Sequence, residues 1–440
     1  MQTAQSMFST RKLRSFVFGF LAFTVAASSV AAQVELKKEK PSPAKIEGQP
    51  FIVGESVVRE QWAHTLKLVN VPMNVTLINP GQCIRVGIVA TGDNRDSYLE
   101  RTKLSFHVKY AGQSQDHPPA PIATYKQIKP EGGDFVTAAL GAAGIQNPML
   151  TMASLGVSAD NWCAPVDAAD GIATVEAEVE TPSGHQNLKR TTVLIESYET
   201  GSRKSFKNIA ELSSLLQVYY RQPNPARLLP AMQTAIAHQT ANPQSDFIEI
   251  TAAFLSAALK TDPVAAQEFL TRIANQPPLT RGLGLTILRS SGYDISDVVK
   301  TLGSGDQEEI QSMPPLPDPY DLTPNGTLFH RLDFMWSTFG ATGEYRPVET
   351  IVSTLSWGAD YDDFDKMRKS GAHITELTPS IYRGLAYMAA GWSLGSFQRN
   401  DPLAADYIEY MLASPEIPES VKTELKGLST NPVFKQNGKK

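Results

Sequence analysis

Near residue 200 the hydrophobic spacing of this 440-residue chain changes from a period of two to a period of 3.6, and no other feature constrains the fold as much. Before the switch, Leu104, Phe106, Val108 and Tyr110 alternate with Ser105, His107 and Lys109. Val175, Ala177 and Val179 alternate with Glu176, Glu178 and Glu180, and Val193 and Ile195 continue the pattern. Such alternation places one face of a sheet on a core and the other in water. Turn-forming clusters, Asn79-Pro80-Gly81 and Thr181-Pro182-Ser183-Gly184, separate the runs. The pattern predicts an antiparallel β-sandwich over 51–198. Residues 113–170 interrupt it, first polar and Pro-rich (Asp116-His117-Pro118-Pro119-Ala120-Pro121), then small and apolar around 135–140. They are expected to form a helical or irregular insertion.

After a short polar link, residues 206–430 carry helical stripes. Ile248, Ala252, Leu255 and Leu259 form one, Leu328, Leu332, Met335 and Phe339 a second, and Ile381, Leu385, Met388 and Trp392 a third. A turn and then a proline follow each stripe, at Pro263, Pro347 and Pro402, and proline is well tolerated in the first turn of a helix. Pro225 marks a further opening upstream. Thr261-Asp262-Pro263-Val264-Ala265-Ala266 and Asn400-Asp401-Pro402-Leu403-Ala404-Ala405 are related, with Asp as the expected N-cap. Another hairpin is expected over 279–302, turning at Gly292. The whole reads as a degenerate stack of helical hairpins, an α-solenoid-like arrangement. Two stretches are expected as insertions beside the hairpin at 327–355. Residues 303–325 contain Pro314-Pro315-Leu316-Pro317-Asp318-Pro319, and 357–378 contain Asp360, Asp362, Asp363 and Asp365.

Leu332-Asp333-Phe334-Met335-Trp336-Ser337-Thr338-Phe339-Gly340-Ala341-Thr342-Gly343, followed by Pro347-Val348, resembles a helical hairpin of uncharacterised exported bacterial proteins. Their motif reads L-D-x-x-W-x-x-F-x-A-T-G. Ala389-Ala390-Gly391-Trp392-Ser393-Leu394 is similar to the helix that follows in that family. The resemblance implies an α-helical fold and export, and no assigned activity.

Export is also read directly. The first 32 residues contain no acid, three bases (Arg11, Lys12, Arg14), an apolar run from Phe16 to Ala27, and Val30-Ala31-Ala32. This is the layout of a signal peptide cleaved after Ala32. The run is shorter than the about 20 residues needed to span a bilayer, and no later stretch reaches that length. Residues 33–50 read as a flexible charged linker and 431–440 as a tail. Cleavage removes three positive charges and takes the formal net charge from −5 to −8, which disfavours nucleic acid and anionic lipid. With a periplasmic or secreted destination, the two cysteines, Cys83 and Cys163, are expected to pair as a disulfide.

H-E-x-x-H and a phosphate loop ending in Gly-Lys-Ser/Thr are missing from the sequence, and its G-x-S-x-G match, Gly391-Trp392-Ser393-Leu394-Gly395, lies within a helical stripe and so makes no strand-to-helix nucleophile elbow. No cofactor is expected. Asp360, Asp362, Asp363 and Asp365 make a weak calcium candidate, since the required glycine and closing glutamate positions hold Asp365 and Gly371. Asp93-Asn94-Arg95-Asp96 reads as a turn. Asp333 and Trp336 share a helix face, and the matching positions of the last hairpin are Ala386 and Ala389. They either line a ligand groove or pack on the next repeat, with Asp333 pairing Arg331 or Arg383. Two functions are expected from this pattern. One is an exported, non-catalytic binding or scaffold protein with a protein or extended peptide partner in the cell envelope. The other is a periplasmic glycan- or peptidoglycan-active enzyme with carboxylate catalysis.

Overall fold

The computed structural model describes residues 45–54, 77–91, 95–125, 153–243, 245–370 and 378–434. The predicted signal peptide and the apolar stretch at 135–140 lie outside them, as do Asp93 and Asn94 of the expected turn, whose Arg95 and Asp96 instead open a short helix. The chain is mixed α and β, its strands lying before residue 196 with one short helix among them and its other helices after. In chain order the strands are β1 (Lys45–Gly54), β2 (Leu77–Ile78), β3 (Cys83–Thr91), β4 (Lys103–Tyr110), β5 (Gln113–Pro121) and β6 (Ala123–Tyr125). They continue with β7 (Ala153–Val157), β8 (Trp162–Cys163), β9 (Gly171–Thr181), β10 (Gly184–Asn187) and β11 (Thr191–Ile195). One sheet runs β1-β3-β7-β6, with β8 also on β3. The other runs β2-β11-β9-β4-β5, with β10 also on β9. Every pairing is antiparallel except β2 with β11.

The alternation works as the period of two requires. Leu104, Phe106 and Val108 of β4 and Val175, Ala177 and Val179 of β9 are buried. They share one cluster with Ile52, Ile84, Val86 and Ile88 from the other sheet. Two expectations change here. Residues 45–50 belong to β1 rather than to a linker. The predicted insertion opens as β5, an edge strand on β4, and returns through β6, β7 and β8. Three prolines and an almost fully exposed side-chain row hid β5, because an edge strand takes its pairing from its neighbour's backbone. Its one buried residue, His117, stacks on Phe106 with ring centroids 4.0 Å apart.

Cys83 and Cys163 face each other across β3 and β8 and are disulfide-bonded. The bond closes a separation of 80 residues, and a link of that span restricts the unfolded chain by an amount worth about 4 kcal/mol in the entropy model. Backbone hydrogen bonds from Gly81 to Ala164 and from Ala164 to Gln82, both 3.0 Å, extend the same junction. Gly81 has φ +80°, which suits glycine in the turn before β3.

The helices are α1 (Arg95–Leu99), α2 (Tyr198–Ser202), α3 (Ile209–Val218), α4 (Leu228–Ala241), α5 (Phe247–Thr261), α6 (Pro263–Ile273) and α7 (Pro278–Ser290). Then come α8 (Ser296–Lys300), α9 (Ser304–Ser312), α10 (Leu328–Thr342), α11 (Tyr345–Ser353), α12 (Gly358–Lys369), α13 (Pro379–Asn400), α14 (Pro402–Ala413) and α15 (Glu419–Gly427). Two clusters form their cores, one drawn mainly from α3 to α9 and one from α10 to α15. None of the described helices is long and apolar enough to cross a membrane.

The related Asp-Pro openings are N-caps. Asp262 accepts from Ala265 N at 2.9 Å, and Asp401 accepts from Ala404 N at 3.0 Å. The second has acquired a further duty. Buried Asp401 also accepts from the Tyr220 hydroxyl at 2.9 Å and from Arg221 at 2.5 Å, joining the two halves of the helical region.

The 3.6 period is correct for α5 and α10 and misleading for α13. Leu385, Met388 and Trp392 are only half-buried, whereas Gly384, Ala386, Ala390, Gly391 and Gly395 face the interior. Helices and loops approach too closely there for large side chains. A Cβ on Gly391 would stand 2.1 Å from the Phe434 ring, and one on Gly384 would stand 2.8 Å from the Asp360 carbonyl oxygen. The predicted acidic insertion is likewise corrected, since its first part is the helix α12. Residues 304–312 of the proline-rich insertion are helical too, and the proline run follows them without regular structure.

Candidate functional site

The helix α10 carries the residues with the most site-like chemistry, and it is buried along most of its length. From Phe334 to Thr342 every residue is buried. Its polar side chains are satisfied locally: Ser337, Thr338 and Thr342 donate to the carbonyls four residues back, at 2.9, 2.9 and 2.8 Å. Small residues let it approach α3, and a Cβ on Gly340 would stand 1.8 Å from the Leu216 carbonyl oxygen. Gly343 ends the helix at φ +70°, donating to Phe339 O at 2.7 Å, and its own carbonyl accepts from Tyr407 at 2.7 Å.

Trp336 is 7% exposed and lies flat on Phe397, ring centroids 3.8 Å apart and planes within 3°. Its Nε1 has no hydrogen-bond partner in the protein. Trp336 thus packs α10 on α13 and does not line an open groove. Asp333, one turn earlier, meets neither arginine expected for it. Arg331 stands 3.8 Å from Asp321. Arg383 makes a two-point clamp on Asp360 at 2.8 and 3.0 Å. Hydrogen bonds from Arg383 hold the Asp360 carboxyl below its ordinary range, and Ser380 assists. The clamp ties α12 to α13.

Asp333 is instead pushed up to about 7, first by burial and then by the negative charge of Asp246. Asp246 precedes α5 and Glu249 lies in its first turn. Both are raised by burial, and His330 opposes both shifts. The His330 ring stands 3.9 Å from Asp246. Asp246 Oδ2 and Arg331 Nε are buried without a hydrogen-bond partner in the protein. The structure therefore gathers three carboxyl groups, a histidine and an arginine in the seam between α5 and α10. Sequence reasoning missed Asp246 and Glu249, because they are 87 and 84 residues from Asp333 and no spacing links them. A second buried acid, Asp406 on α14, is raised to about 8 by burial and by Glu409 and Asp401.

The acidic stretch has ordinary helical partners. Asp363 pairs Lys366 at 3.1 Å and Asp365 pairs Lys369 at 2.6 Å. Among the described residues no group of three or more acids, histidines or cysteines could hold a metal ion. A cleft of about 180 Å³ opens elsewhere, between the turn before β3, the loop after β8, α2 and α6. Sequence reasoning gave no signal for it, since four separate segments build it.

Compared with known proteins, the chain matches no family model and no curated relative.

Proposed function

We propose that the chain is an exported, non-catalytic binding or scaffold protein of the periplasm or extracellular space. In this reading its two sheets form a sandwich and its helical hairpins stack as a degenerate solenoid. The helical surface takes a protein or extended peptide of the cell envelope. The common core drawn from both sheets supports the first statement, and the repeated Asp-Pro caps support the second.

The observation that carries the proposal is the contrast between α10 and its surroundings. Trp336 serves packing and Asp333 is drawn into the seam with α5, while the flanking segments are exposed. Pro314, Pro315, Pro317 and Asp318 are exposed on an extended stretch, and Asp362 and Asp363 are exposed on α12. That stretch is held firmly by its ends. Arg289 donates to Met313 O at 2.7 Å, and Arg346 lies 4.0 Å over the Tyr320 ring. A preformed extended segment loses little entropy on binding, which favours recognition. Double reversal with Asp362→Lys and Asp363→Lys tests the surface by cross-linked capture from the native envelope fraction. Loss of the partner captured by wild-type protein, at unchanged melting temperature, is expected. Equal capture by both proteins would move the recognition surface away from α12.

A glycan- or peptidoglycan-active enzyme is the second reading. Asp333, held near neutrality beside Asp246, is the observation that favours it, because a general acid needs such a shift. Loss of sugar release by Asp333→Asn, relative to an active wild-type protein, would select it over the binding role.

A further inference from the structure

The cleft between the sheets and α6 joins features that point to a small ligand. Its walls are fixed. The disulfide and the paired backbone hydrogen bonds join the turn before β3 to the loop after β8, and Gln82 Nε2 donates to Asp262 at 3.2 Å, tying that turn to the start of α6. Two of its lining residues are deeply buried with unmet hydrogen bonds. Asn79 is 3% exposed and donates to Glu196 O at 2.6 Å, but its Oδ1 has no partner. Tyr198 is 6% exposed and its hydroxyl has no partner. Buried polar groups are costly to leave unmet, and a bound ligand or water is the usual completion.

The charges lining the cleft are of both signs. The Arg272 guanidinium lies 5.7 Å over the Tyr198 ring, and Asp167 and Glu268 line the same space. Among the described residues none of these three charged groups has an ion-pair partner within 4 Å. Val166, 75% exposed, and Val264 supply an apolar lip. The volume of about 180 Å³ lies below the about 300–1,000 Å³ of sites for drug-sized ligands.

We propose that this cleft binds a small zwitterion, an aliphatic α-amino acid or dipeptide, with Arg272 taking its carboxylate and Asp167 and Glu268 its ammonium. A guanidinium matches a carboxylate in two-point geometry, and carboxylates accept from an ammonium by charge-assisted hydrogen bonds. Asn79 and Tyr198 form part of the cleft's wall, and the two valines meet the ligand's side chain. The site goes beyond the binding role proposed for the helical surface and shares no residue with α12.

Titration calorimetry of the mature, oxidised protein with L-alanyl-L-leucine tests the proposal. Saturable binding is expected, weakened about tenfold or more by Arg272→Gln and by Glu268→Gln. On the wild-type protein, N-acetylated and C-amidated forms of the same dipeptide should each bind about tenfold more weakly, which keeps the test decisive if a variant fails to fold. No saturable heat from the folded protein with about 10 mM of either the dipeptide or L-leucine, a generous limit for a specific site, would overturn the proposal. So would equal binding of the charged and blocked dipeptides.

Discussion

Trp336→Ala is expected to destabilise the folded protein by about 3–5 kcal/mol, the range for truncating a large aromatic in a core. The basis is physical contact. The indole stacks on Phe397 at 3.8 Å and meets Phe339 edge-on at 5.8 Å, and Phe339 in turn touches Tyr220, Tyr407 and Phe397. Removing the indole opens a cavity where α10 meets α13, and the rigid helices around it collapse only partly. Trp336→Phe should recover part of the loss by restoring one ring. Denaturant unfolding of the three proteins measures this. A Trp336→Ala variant within about 1 kcal/mol of wild type, the typical range for a surface change, would place Trp336 outside the core.

Asp333→Asn is expected to stabilise the protein, and to do so more as pH rises. Asp333 is raised to about 7 in the folded chain from an ordinary value of 3.8. Below pH 4 both folded and unfolded states hold the proton, and the group has no influence. Between pH 4 and 7 the unfolded state releases its proton first, so wild-type stability falls as pH rises through that window. Above pH 7 the carboxylate is ionised in both states and the penalty stays constant. At about 1.4 kcal/mol per tenfold in proton affinity, its ceiling is on the order of 4 kcal/mol. Asp246, whose negative charge adds to the Asp333 shift, remains in the variant, so the difference between the two proteins reports Asp333 together with its effect on Asp246. Melting temperatures from pH 4 to pH 8 should therefore diverge, with the variant higher at pH 8. Parallel curves would show that the Asp333 carboxyl is hydrated in the folded protein.

Some of this was legible in the residues and some was not, for reasons that differ by element. In β4 and β9 each side chain faces either core or water, so Leu104, Phe106 and Val108 announced a strand by themselves. The same held for the α5 and α10 stripes. By contrast, α13 buries Gly384, Ala390 and Gly391, and close packing of small residues leaves no hydrophobic stripe to read. The helix α12 was hidden by four aspartates, three of which, Asp360, Asp363 and Asp365, are held by Arg383, Ser380 and neighbouring lysines rather than by apolar burial. At the candidate site, Asp333 and Trp336 stood out because they replace alanines of a related helix. Their sequence could not show that Phe397 covers the indole or that Asp246 faces the carboxyl, since both contacts are long-range. Arg331 and Arg383 were the partners expected for Asp333, but each is engaged elsewhere, by Asp321 and by Asp360.

The central claim is that α10 is an interior helix, with Trp336 packed between α10 and α13 rather than facing solvent. Hydroxyl-radical footprinting of the native protein measures this at Trp336 directly. The account predicts that the Trp336 indole, 7% exposed beneath Phe397, is oxidised about tenfold or more slowly than in the unfolded chain. Oxidation of Trp336 in the native protein at the unfolded rate would contradict it and return that face of α10 to solvent.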